Sequence, residues 1–120
     1  MIISMPNPTL KTEFFDLIGE IQVKYDLPNN LPMTIEDVKD FYCGSDDDFF
    51  FVEYFVAVEI LPYRHIIESK DTAQACRLVK KYITVDDFTL SKIVEEYSDA
   101  IIFYLNSFLQ LYDTYYPPPQ

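Results

Sequence analysis

Carboxylates are the reactive groups this chain holds in quantity, twenty of them against nine lysines and arginines. Six fall within the thirteen residues from Glu36 to Asp48, namely Glu36, Asp37, Asp40, Asp46, Asp47 and Asp48, with only Lys39 in opposition. Acids so placed have three chemical uses. A pair flanking a substrate serves as general acid and general base. Several converging on one point hold a hard cation such as calcium. A dense row on an outer wall steers and pairs with a cationic protein. The calcium use is disfavoured because Asp46, Asp47 and Asp48 are consecutive, where an EF-hand loop needs alternating ligands, a central glycine and a terminal glutamate. Nothing assigns any pair of acids to a cleft, so a small hydrolase with paired carboxylates stands only as an alternative. The docking use gains from Phe41, Tyr42, Phe49, Phe50 and Phe51, which interleave or adjoin the acids and supply ring area of the kind that anchors protein interfaces.

Other reaction chemistry is poorly served. His65 is the single histidine, so no local motif pairs a serine or cysteine nucleophile with a positioned base. Cys43 and Cys76 form no CxxC pair and read as free thiols, and Gly19 and Gly44, the only glycines, leave no phosphate-cradling loop. The expectation is a non-enzymatic chain without metal or cofactor.

The formal net charge of -11 opposes phosphate backbones and anionic headgroups. It is uneven: residues 1–60 carry twelve acids and three bases, net -9, and residues 61–120 eight acids and six bases, net -2. The bases Arg64, Lys70, Arg77, Lys80, Lys81 and Lys92 read as solvated faces or internal balance rather than phosphate contacts. Met1 to Leu10 is interrupted by Pro6 and Pro8, unlike a leader peptide. The longest apolar run, Phe49 to Leu61, contains Glu53 and Glu59 and is too short to span a bilayer. A cytoplasmic chain with no membrane association is expected.

The elements that must position these groups are helical. Leu10, Phe14, Leu17, Ile18, Ile21 and Tyr25 recur at helical steps, predicting a first helix over about 9–25. Pro28 and Pro32 make 26–32 a connector. Thr34 with Asp37 forms a capping-box start for a short helix to about Tyr42, ended by Gly44 and Ser45. Residues 48–61 are rich in strand formers, but the aspartates at their start favour a buried, central helix with Glu53 and Glu59 as its solvent edge. Three consecutive rings at 49–51 point in different directions, with one expected at the surface. Pro62 is a kink or a first-turn residue of a short continuation to Ser69, and Asp71 or Thr72 caps a helix to about Tyr82. Leu90, Val94, Tyr97, Ile101, Tyr104, Phe108 and Leu111 predict a helix over about 85–112, apolar on extra faces at Ile102, Phe103, Leu105 and Leu109. The reading is all-α: one compact domain over 1–114, a bundle of four to six helices with a long amphipathic C-terminal helix, followed by an extended Pro-rich tail over 115–120. The width of the apolar stripe favours a monomer over a coiled-coil homodimer.

In size, acidity and lack of catalytic motifs the chain resembles the immunity proteins encoded beside bacterial toxins. That resemblance implies a small acidic inhibitor that occludes the basic active site of a toxin or nuclease domain, with no direct nucleic-acid contact. Glu36, Asp37, Asp40, Asp46, Asp47 and Asp48 would steer and pair, and Tyr42 and Tyr54 would anchor. Tyr115 and Tyr116 are alternative anchors if the tail docks. Two other readings fit the charge: a phage-type mimic of nucleic acid, which needs a long acidic track, and a subunit of a larger assembly, which needs an exposed apolar patch on the last helix.

Overall fold

A computed structural model describes residues 10–28, 34–44, 48–69, 71, 74 and 85–117. Helix α1, Leu10–Lys24, buries Phe14, Phe15, Ile18 and Ile21 at the steps its sequence sets. Its end is a Schellman motif. Asp26 adopts φ 50°, its N–H reaches the Val23 carbonyl at 3.2 Å, and the Leu27 N–H reaches Gln22 at 2.9 Å. An aspartate tolerates this left-handed position better than most residues, and Pro28 then prevents continuation.

Helix α2, Ile35–Cys43, opens on the expected capping box: the Asp37 N–H donates to Thr34 Oγ1 at 3.1 Å, and the Thr34 N–H donates to Asp37 Oδ2 at 3.1 Å. Such a cap contributes about 1 kcal/mol. At its other end the Gly44 N–H bonds the Asp40 carbonyl at 3.0 Å. A Cβ at Gly44 would stand 2.5 Å from that same oxygen, so the close approach requires glycine.

The ambiguous segment is helical. A single turn α3, Asp48–Phe50, leads into a ten-residue π-helix, Phe51–Ile60, whose buried residues Phe51, Val52, Phe55, Val56 and Ile60 recur at steps of four and five. The Leu61 N–H reaches back to the Val56 carbonyl, continuing the i to i+5 ladder of this form. A 3₁₀ turn, Leu61–Tyr63, holds Pro62 where no donor is needed, and α4, Arg64–Glu68, follows. The solvent edge differs from expectation. Glu53 and Glu59 are half-buried, while Tyr54 and Val58 are 53% and 58% exposed. Tyr54 and Val58, four residues apart, face outward together, as i and i+4 do on a helix.

Asp71 accepts from the Gln74 N–H at 3.2 Å, as a cap would. The rest of the helix expected to Tyr82 lies outside the described residues, as do residues 29–33 of the connector, Cys76 and four of the clustered bases, Lys70, Arg77, Lys80 and Lys81.

Helix α5, Asp87–Tyr115, has 29 residues, so it is about 43 Å long at 1.5 Å per residue. Its cap is Asp86, which accepts from the Thr89 N–H at 2.6 Å, and it begins two residues later and ends three later than the sequence spacing predicted. Leu90, Ile93, Ile101, Leu105, Phe108, Leu109 and Leu111 are buried. Phe103, expected among the wrapped positions, is 57% exposed because its angular position lies opposite Leu105 and Ile101. α1, α2, the π-helix and α5 close on one core in which Phe14, Phe15, Phe51, Phe55 and Phe108 are fully buried. The protein is an all-α bundle with a long C-terminal helix, and no strand occurs among the described residues. Among those residues no helix is long and apolar enough to cross a membrane.

Candidate protein-docking site

Helix α2 buries Ile35 and Val38 against α1 and the π-helix. At about 100° per residue, Glu36, Asp40, Asp37 and Phe41 follow one another around its opposite arc, and all four are exposed. The acids of α2 therefore form one outward ridge. Asp37 gives part of its capacity to the Thr34 cap. Glu36 and Asp40 form no salt bridge among the described residues. Lys39, the one base in this run, turns away to Asp16 of α1 at 2.6 Å. That hydrogen bond, helped by the charges of Asp16 and Glu36 and outweighing the opposite effect of burial, sets the ammonium pKa above its ordinary value. The ridge keeps its charge because the adjacent cation is already committed to another helix.

Beside the ridge lies a connected run of rings. Phe41 meets Phe50 edge-on at 5.4 Å, and Phe50 meets Tyr54 at 4.9 Å with a 39° tilt. Phe41 is 56% exposed, Phe50 is half-buried, and Val58 extends the line beyond Tyr54. Tyr42 stands behind them. It stacks on Phe15 at 6.3 Å and 6°, meets Phe55 edge-on at 5.1 Å, and touches Phe41 at 4.9 Å. Burial, then the charge of Glu59, raises its phenol pKa. Tyr42 thus ties the outer rings to the core. Phe49 is exposed and Phe51 is fully buried.

Of the residues named from sequence, the structure brings Glu36, Asp37, Asp40, Tyr42 and Tyr54 to one side of the molecule. Asp48 opens α3, while Asp46 and Asp47 lie outside the described residues. Sequence reasoning counted Phe41 and Phe50 among the rings beside the acids but named Tyr42 and Tyr54 as the anchors, and so missed that Phe41 is the more exposed ring of α2. A helical wheel drawn over α2 alone places Phe41 opposite the Ile35 and Val38 face and would have found it.

On its other flank the ridge borders an open groove of about 740 Å³ between α1 and α2, lined in part by Asp16, Gly19, Glu20, Ile35, Glu36 and Tyr97. Beyond the ridge Glu20 adds one carboxylate on α1, while Asp16 is taken by Lys39 and Lys24 also lines the groove. Among the described residues no three His, Cys, Asp or Glu side chains converge as a metal site would require. His65 is exposed. On α5, Phe103 is exposed with Asp99 and Ser107 one turn to either side, and Lys92 lies over exposed Phe88 at 4.6 Å.

The end of α5 is fastened to the rest of the bundle. Arg64 donates to Asp113 at 2.6 Å, and the Tyr116 hydroxyl donates to Glu53 of the π-helix. The latter bond, chiefly, pushes the Tyr116 phenol up to about 12. An unfolded tyrosine titrates near 10, so the folded state holds this proton more tightly. Its contribution to stability is present below about pH 10 and is lost as pH rises towards about 12. A phenolate-absorbance titration should show a late component that Tyr116→Phe removes and Glu53→Gln moves towards the ordinary range. An unchanged titration in both variants would exclude this contact.

Comparison with known protein families, with curated proteins and with solved structures finds no match to this chain.

Proposed function

We propose that this chain is an acidic, non-enzymatic protein-binding inhibitor of the immunity type, which neutralises a cognate bacterial toxin, a nuclease domain, by covering its basic active site. The observation that carries this reading is the outward carboxylate ridge of α2 lying against the Phe41, Phe50 and Tyr54 rings, with Lys39 drawn off to Asp16. Free carboxylates steer a cationic surface into place and compete for the positions phosphates would take. Rings fixed by Tyr42 offer anchor area at small entropic cost. The chain acts as a monomer in the cytoplasm.

The test is the association rate with a basic nuclease toxin domain over a range of ionic strength. A steep fall with added salt, together with stoichiometric loss of nuclease activity, is expected. Flat rates would remove the electrostatic basis of the proposal.

The Glu20 carboxylate, which shares the groove with Glu36, favours one second reading, a mimic of nucleic acid that blocks a DNA-binding enzyme. Under mimicry Glu20→Gln should reduce the salt dependence as much as Glu36→Gln does. Under the compact-ridge reading it should change it little.

A further inference from the structure

Three rings elsewhere on the surface, exposed Phe88 and half-buried Tyr25 and Tyr97, carry one of the chain's own cations. Lys92 lies over Phe88 at 4.6 Å, and Lys24 lies over Tyr97 at 5.4 Å and Tyr25 at 5.9 Å while also pairing with Glu96. The Phe41, Phe50 and Tyr54 rings differ. No lysine or arginine lies over them among the described residues, although Asp37 stands one helical turn before Phe41 and Asp40 directly beside it in sequence. Here negative side chains and partly exposed rings adjoin without the positive group that both attract.

We propose that the Phe41, Phe50 and Tyr54 rings with Asp37 and Asp40 form a receptor for an arginine side chain of the basic partner, and that they select arginine over lysine. This inference rests on the protein-binding reading above and names the chemistry at its centre. Ring faces draw any cation. A guanidinium is planar and weakly hydrated, so it stacks on a ring while its edge donates in a fork to a carboxylate, as the adjoining acids permit. A lysine ammonium is a compact, strongly hydrated point charge that has to give up more water to occupy the same face. The rings are also preorganised. Phe41 is held by Tyr42 at 4.9 Å and by Phe50 at 5.4 Å, and Tyr42 is itself stacked on buried Phe15, so little ordering remains when a guest arrives.

The experiment titrates the full chain with oligo-arginine and oligo-lysine peptides of equal length at low ionic strength, following tyrosine fluorescence and the aromatic NMR signals. The arginine peptide should bind about tenfold more tightly, the gain of one favourable stacked contact, and should shift the Tyr54 ring signals. Phe41→Leu with Tyr54→Leu keeps the surface apolar and should bring the two affinities together, while Asp40→Asn should weaken both peptides. Circular dichroism establishes that each variant is folded. Equal binding of the two peptides by the wild-type chain overturns arginine selection and leaves the basic-partner reading standing. A preference that survives the double leucine variant overturns the assignment to these rings. Binding of neither peptide overturns both proposals.

Discussion

Replacing Phe55 with alanine is expected to destabilise the fold by about 3–5 kcal/mol, the usual cost of emptying a fully buried phenylalanine site. Phe55 is 0% exposed and sits where four elements meet. Its ring lies 5.0 Å from Phe51, 5.1 Å from Tyr42 of α2, 5.2 Å from Phe15 and 6.2 Å from Phe14 of α1, and 6.0 Å from Phe108 of α5. The surrounding rings are held by one another, so the cavity has little freedom to collapse, and collapse is what would moderate the loss. Domains of this size are stable by about 5–15 kcal/mol in total, so the variant should be partly unfolded at mild denaturant concentrations. The chain has no tryptophan, and urea unfolding followed by circular dichroism and tyrosine fluorescence is the suitable measurement. Phe103→Ala, at an exposed position, should change stability by about 0.5 kcal/mol or less. Similar midpoints for the two variants would mean that the aromatic core does not bind these helices together.

The second large effect concerns binding. Truncating Phe41 and Tyr54 together to alanine should weaken the proposed complex by about 2–4 kcal/mol, roughly thirtyfold to a thousandfold, the range for central aromatic anchors. Both side chains are more than half exposed, so the variant should keep its fold. The loss should fall mainly on dissociation, because anchors act after encounter. Glu36→Gln with Asp40→Asn should act differently, slowing association and flattening its salt dependence. Surface-binding kinetics on both variants separates the two contributions. If the ring truncation leaves dissociation unchanged, the rings are not anchors and charge alone carries recognition.

Most helices were legible from local order. The capping box at Thr34 and Asp37, the apolar steps of α1 and the long periodic run of α5 each record a requirement that a helix imposes on its own residues. The boundaries of α5 were less so, because Thr84 followed by two carboxylates reads as a cap for a helix from Val85, whereas Asp86 itself accepts from the Thr89 N–H. The segment 51–60 read correctly as a central helix, but its π form did not. Its residues are apolar almost throughout, and such a run offers no polar face from which to measure the turn. The solvent edge also fell at Tyr54 and Val58 rather than at Glu53 and Glu59.

The candidate site divides in the same way. Composition and spacing by themselves determined that the chain is helical, strongly acidic in its first half, and provided with acids and rings in one short run. Tertiary structure alone decided that Lys39 would reach Asp16 on another helix, that Phe50 and Phe41 would meet across two elements, and that Tyr42 would face inward as their support. Charge and periodicity belong to each residue and its near neighbours and are therefore written in the chain. Pairing and exposure depend on distances between segments far apart in sequence, and those distances exist only once the core has closed.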